Sequence, residues 1–152
     1  MSGLVLSALR VRAVRKKDMS AIYDIEESTF KEPYPRSLLD LLAKKYAETF
    51  LVAEEEGTII GYVVASVEWD GSGHIISIAV ANSHKRRGVG SALASAILGI
   101  MKNIGVEEVR LEVRRSNLAA QTFYKELGFE LRSVSKGYYR GEDGYIFTRV
   151  IE

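Results

Sequence analysis

The sequence predicts an α/β domain around one mixed sheet, and three observations carry that expectation. The stretch from Ile75 to Ile104 reads as an apolar strand, a basic glycine-containing turn and an amphipathic helix. Two distant segments, Leu9 to Val14 and Val109 to Val113, alternate apolar and charged residues as strands with one wetted face do. Cap residues and Gly/Pro turn signals separate the periodic segments into the order β-α-α-β-β-β-α-β-α-β-β. With 152 residues and no repeat, low-complexity tract or linker, the chain is expected to be a single domain, 1–152.

After the first strand, Asp18 and Ser20 are candidate caps for a helix turning Ala21, Ile22, Ile25 and Phe30 inward. Lys31-Glu32-Pro33-Tyr34-Pro35-Arg36 is a stiffened elbow, because each proline fixes its own φ and biases the residue before it away from helix. Ser37 is the candidate cap of the next helix, with a stripe of Leu38, Leu41, Leu42 and Tyr46. Phe50 to Ala53 and Ile59 to Val67 read as strands joined through Glu54-Glu55-Glu56-Gly57, and Asp70-Gly71-Ser72-Gly73 is a second turn.

In the central helix Leu93, Ile97, Ile100, Met101 and Ile104 form one stripe, with Gly105 as its stop. Ser116-Asn117 caps a helix through Leu127 that turns Ala120, Phe123, Tyr124 and Leu127 inward, and Gly128 sits where a left-handed residue belongs. Two strands, Glu130 to Lys136 and Gly144 to Val150, close the chain around a loop holding Tyr138-Tyr139-Arg140-Gly141-Glu142-Asp143.

Composition narrows the function classes. The net charge of +1 argues against a broad basic face for nucleic acid. Without cysteine there is no disulfide, zinc–thiolate site or cysteine nucleophile. His74 and His84 have no partners at ligand spacing, so no metal is expected. No segment approaches membrane-spanning length or a signal-peptide core, and the expected location is cytoplasmic.

The turn after Ile78-Ala79-Val80 holds Lys85-Arg86-Arg87-Gly88-Val89-Gly90-Ser91. Glycines permit close backbone approach, a helix start presents free N–H groups, and three cations add to the positive field. Such a turn is suited to an anion, above all a phosphate.

This turn resembles the acyl-CoA pyrophosphate loop of the GNAT acetyltransferase superfamily. Leu111-Glu112-Val113-Arg114, Ser116-Asn117, Ala120, Tyr124 and Leu127-Gly128-Phe129 resemble its RimI branch, whose members acetylate protein N-termini. Tyr138-Tyr139 with Glu142-Asp143 resembles the late loop of N-terminal acetyltransferases, and the Pro33-Tyr34-Pro35 elbow is similar to that of archaeal relatives. Two positions depart from the pattern: Lys85 stands where the loop usually opens with glutamine or arginine, and Tyr34 where bacterial RimI proteins carry tryptophan.

The resemblance implies the GNAT fold, a single mixed, mostly antiparallel sheet of about seven strands flanked by four helices. It also implies acetyl-CoA as cosubstrate, held by Ile78, Ala79, Val80, Lys85, Arg86, Arg87, Gly88, Val89, Gly90, Ser91, Asn117, Ala120 and Tyr124. Glu112 and Glu32 are then candidate bases for the incoming amine, and Tyr124 a candidate acid for the leaving thiolate. Glu32, Tyr34, Tyr138 and Tyr139 would wall the peptide groove. From residue pattern alone, Glu112 also reads as a solvated partner of Arg110 or Arg114, Glu32 as a loop charge and Tyr124 as packing under Phe129.

The expected function is acetyl-CoA-dependent acetylation of the α-amino group of protein N-termini or short peptides, ribosomal proteins among them. An α-amine, with a pKa near 8 against about 10.4 for lysine, needs only mild help to lose its proton. The alternatives are a lysine side chain or small amine as acceptor, and a CoA-binding or partner-docking module with little catalysis.

Overall fold

The computed structural model describes residues 8–84 and 88–151, and its element order matches the one read from the sequence. The strands are β1 (Leu9–Ala13), β2 (Phe50–Glu55), β3 (Thr58–Val67), β4 (Gly73–Val80), β5 (Glu108–Arg114), β6 (Glu130–Tyr139) and β7 (Glu142–Val150). The α-helices are α1 (Met19–Thr29), α2 (Arg36–Lys45), α3 (Val89–Asn103) and α4 (Leu118–Glu126). The seven strands form one sheet in the order β1-β2-β3-β4-β5-β7-β6. β4 runs parallel to β5, while β1–β2, β2–β3, β5–β7 and β6–β7 are antiparallel. This is the mixed, mostly antiparallel arrangement of seven strands and four α-helices that the resemblance implied.

The chain divides into two compact units: Met1–Ala65 with Ile76–Ile100, and Ser66–Ile75 with Met101–Glu152. In the first unit, Ile22 and Ile25 of α1 and Leu39 and Leu42 of α2 pack on Phe50, Val52, Tyr62, Val64 and Ala79. Burying such side chains is worth roughly 1.5–3 kcal/mol each, the main force holding α1 and α2 to the strands.

Four local expectations change here. Pro35, with φ −57° and ψ 148°, is itself the cap of α2, so Ser37 lies inside the helix. Leu41 is 56% exposed and Leu39 fully buried, so the stripe runs through Leu39 instead. Asp18 stands at the cap of α1 without capping it, because its carboxylate accepts from Arg12 Nη1 and Nη2 at 2.8 and 2.9 Å and from the Arg15 N–H at 2.7 Å. The β2–β3 connection is only Glu56-Gly57, leaving Glu54 and Glu55 in β2.

In the second unit β5 turns Val109, Leu111 and Val113 inward as its alternation predicts. Asn117 caps α4 by accepting from the Ala120 N–H at 3.1 Å. Gly128 has φ +89°, a backbone that L side chains rarely adopt, and lets the chain reverse so that the Phe129 N–H donates to the Tyr124 carbonyl at 3.0 Å. Ile104 lies past the end of α3 and is 58% exposed, outside the predicted stripe. The β6–β7 turn is only Arg140-Gly141, so Tyr138 and Tyr139 end β6 and Glu142 and Asp143 open β7, where the sequence had suggested a longer loop. Among the described residues no helix is long and apolar enough to cross a membrane.

Candidate active site

The residues singled out in the sequence divide between the two units. In the first, Ile78 and Val80 are half-buried and Ala79 is buried, at the end of β4. Lys85, Arg86 and Arg87 lie outside the described residues. Gly88 has φ +80°, and its carbonyl accepts the N–H of Ala92 at 3.0 Å. Val89, Gly90 and Ser91 therefore form the first turn of α3, whose N–H groups have no acceptor within the helix. A helix start behind a left-handed glycine suits the anion-cradle chemistry read from the sequence.

The elbow between α1 and α2 carries Glu32, exposed, and Tyr34, half-buried. The Tyr34 N–H donates to Glu26 Oε2 at 2.8 Å.

The second unit holds Glu112. β4 and β5 pair with Gly73 opposite Val109 and His74 opposite Arg110, which sets His74 near the next outward residue of β5. The Glu112 side chain is 11% exposed, and its Oε1 lies 2.7 Å from His74 Nε2. Arg110 Nε approaches Oε2 at 3.4 Å, and the Tyr138 hydroxyl donates to Oε1 at a long 3.5 Å. Burial works against the carboxylate's charge. The hydrogen bond and field of His74, and then Arg110, outweigh it and hold Glu112 below the ordinary glutamate range. Glu68 backs the group, 3.1 Å from Arg110 Nη2 and 3.8 Å from His74 Nδ1. Glu112 is thus an ionised acceptor with an imidazole hydrogen-bonded to it.

Tyr124 is buried on α4, its ring edge-on to Phe129 at 5.9 Å between centroids. Burial, and then the nearby Tyr139, push its phenol well above the ordinary tyrosine range, so it stays protonated at any working pH. Ala120 is half-buried on the same helix. Tyr138 and Tyr139 meet edge to face at 4.8 Å, and the Arg114 guanidinium lies 4.4 Å from the Tyr139 ring centroid. Ser116 donates to both carboxylate oxygens of Glu142, at 2.9 and 3.0 Å, and Asp143 Oδ1 accepts from the Gly137 N–H at 3.0 Å. The tyrosine-bearing end of the β6–β7 hairpin is therefore pinned by charged and hydroxyl contacts.

Two residues escaped the sequence reading. His74 looked isolated because its partner lies on a strand that only the sheet brings near. Glu26 was not singled out, although it follows Ile22 by one helical turn and so falls on the inward stripe. Among the described residues no three His, Asp or Glu side chains gather into a metal-binding group.

The fold agrees with the comparisons to known proteins. The acetyltransferase (GNAT) family matches residues 19–129. The chain is 38% identical to an N-alpha-acetyltransferase of Sulfurisphaera tokodaii, over 91% of each chain. The crystal structure of Ard1 from Thermoplasma volcanium superposes with a TM-score of 0.92 at 32% identity, over 95% of this chain and 99% of that one. The ribosomal-protein-S18-alanine N-acetyltransferase of Escherichia coli superposes with a TM-score of 0.84 at 26% identity, over 95% of each.

Proposed function

Because the chain belongs to the acetyltransferase (GNAT) family, an enzyme family that draws its acetyl group from acetyl-CoA, we propose that it acetylates the α-amino group of protein N-termini. The observation that carries this reading is the Glu112–His74 pair. A carboxylate held below its ordinary range is a weak base. It suffices for an α-amine, part of which is already neutral near pH 7, but is poorly matched to a lysine amine about two units more basic.

In the reaction the neutral amine attacks the thioester carbon, the C–N bond forms and the C–S bond breaks. Glu112 takes the proton lost by nitrogen, directly or through a water, and His74 shares it across the 2.7 Å contact. Tyr124 is too weak an acid to transfer its proton outright to a thiolate. Its role is to donate a hydrogen bond to the departing sulfur. The N–H groups of Val89 to Ser91, behind Gly88, would hold the pyrophosphate, to which Lys85, Arg86 and Arg87 would add charge and Ile78 to Val80 would add contacts for the acyl arm. Asn117 and Ala120 line the donor at the start of α4. Glu32, Tyr34, Tyr138 and Tyr139 wall the acceptor, with Glu32 a second base. Ribosomal proteins are candidate acceptors, which the likeness to the S18-alanine enzyme supports. The single-domain reading is supported by a family match that runs without interruption from residue 19 to 129.

The test is CoA release from purified protein and acetyl-CoA across peptides with free or blocked N-termini and across internal lysines and polyamines. Turnover restricted to free α-amines is expected. Turnover on lysines or polyamines alone would replace the acceptor, and acetyl-CoA binding with no turnover on any amine would make the chain a docking module.

A further inference from the structure

Glu26 is 1% exposed, one of the few charged side chains in the core of the first unit. Its Oε1 accepts from the Tyr62 hydroxyl and, at 3.3 Å, from Ser77 Oγ, while Tyr62 and Ser77 lie 3.2 Å apart. Tyr62 is itself fully buried, on the β3 face that packs under α1 and α2. The other oxygen, Oε2, receives the Tyr34 N–H at 2.8 Å. The backbone carbonyl of the same residue receives the Phe30 N–H at 3.1 Å. One residue thus holds both the entry and the exit of the elbow.

The sequence makes this hold decisive. Pro33 and Pro35 have no N–H, so Tyr34 carries the only backbone donor from 33 to 35. A charge-assisted bond to a buried carboxylate is about twice as strong as a neutral one, and this carboxylate is itself fixed by two hydroxyls in the core. Outside the elbow Arg36 grips Glu27 through two bonds of 3.0 and 3.2 Å and lies 5.1 Å from the Tyr23 ring centroid, while the Tyr23 hydroxyl bonds Asp40. The exposed side ties helix to helix. Glu26 ties the elbow's own main chain to the core.

We infer that Glu26, held by Tyr62 and Ser77, is the positioning residue of the acceptor groove: it fixes the Tyr34 backbone and with it the wall that Glu32 and Tyr34 present to the substrate. This rests on the reading of the elbow as that wall, and it assigns Glu26 no contact with substrate. Loss of the bond loosens the elbow, so acceptor binding suffers while the donor turn does not.

The experiment uses the full chain with Glu26→Gln, which keeps the shape but removes the charge, beside Tyr62→Phe and Val52→Ala, the last a core truncation without polar contacts to the elbow. Amide exchange read by NMR is expected to speed about tenfold at Tyr34 in Glu26→Gln, by less in Tyr62→Phe, with the β2 amides unchanged in both. In the same proteins the KM for an N-terminal peptide should rise about five- to tenfold while the KM for acetyl-CoA stays within about twofold. Val52→Ala should show neither change. Unchanged Tyr34 exchange in Glu26→Gln, or exchange that rises in step with the β2 amides, overturns the inference, as does a parallel rise of both KM values. The exchange measurement needs no substrate, so a wild-type protein inactive on every N-terminal peptide would sink the acceptor assignment while Tyr34 exchange still decided the role of Glu26.

Discussion

Each of the two units holds a glutamate largely out of solvent, and the two carboxylates are held in opposite ways. Glu26 sits in the first unit against a phenol, a serine hydroxyl and a backbone amide, groups that keep their protons at neutral pH. Glu112 sits in the second unit against an imidazole, a guanidinium and a more distant tyrosine hydroxyl, and it retains 11% of its side-chain exposure. The first environment meets the carboxylate with groups that stay neutral at pH 7. The second holds the charge and sets beside it a side chain able to pass protons on. On the proposed function, burial alone therefore does not separate a structural carboxylate from a chemical one. The chemistry of the partners does.

The sharpest way to break this comparison is Glu112→Gln. Loss of a general base costs about 100-fold or more in rate, so kcat should fall by that factor with the KM for acetyl-CoA little changed. The thermal midpoint should move by only a few degrees, because the amide still reaches His74. If kcat holds and the midpoint collapses, Glu112 is the structural carboxylate and the contrast with Glu26 dissolves.

A third carboxylate calibrates the pair through stability alone. Asp18 is buried against Arg12, which also reaches Glu54 at 2.8 Å. Arg12→Ala strands the buried Asp18 and should cost about 3 kcal/mol in denaturant unfolding, with both KM values unchanged in the folded fraction. Burial raises Asp18, but the bonds from Arg12 and the Arg15 amide outweigh it and hold the carboxyl below its ordinary range. A depressed folded pKa adds stability that is complete above the unfolded value and lost as pH falls through the folded one. The wild-type advantage over Arg12→Ala should accordingly persist down to about pH 4 and shrink below it.

How far the sequence could go depended on whether a signal was local. The element order was legible because strand alternation and helix periodicity are properties of short windows, and Asn117 and Gly128 behaved as read because caps and left-handed turns are local too. The second helix was misread for the opposite reason. Leu38, Leu39, Leu41 and Leu42 support two overlapping stripes, and only the packing of α2 on Phe50 and Val52 selects Leu39 over Leu41. Glu112 was singled out through its motif. Its partner His74 was not, because the pairing exists only once β4 and β5 lie parallel in the register His74 opposite Arg110. Glu26 was legible in principle, as an acid on the Ile22–Ile25 stripe, since an acid on a buried stripe must find donors.

A finer test of the Glu112 environment is Arg110→Gln. It removes a cation that favours the ionised form, so the Glu112 pKa rises toward the ordinary range and the acid limb of kcat/KM moves to higher pH. The shift is expected to be small because Arg110 is partly exposed, and His74 supplies the larger effect.

The smallest effect is expected at Tyr138, and it tests where the proton goes. Its hydroxyl reaches Glu112 Oε1 only at 3.5 Å, the edge of a hydrogen bond, and the side chain is half exposed to water that can replace it. Its ring is better fixed: it stands edge-on to Tyr139, and a Cβ added at Gly144 would lie 2.9 Å from the Tyr138 Cβ, so glycine there lets the ring seat close on β7. Tyr138→Phe keeps the ring and should change kcat by less than about twofold, whereas Tyr138→Ala should raise the peptide KM several-fold by removing a wall of the acceptor groove. A tenfold loss of kcat in Tyr138→Phe would place the hydroxyl on the proton path from Glu112, and His74 would then be the residue that only holds the carboxylate in place.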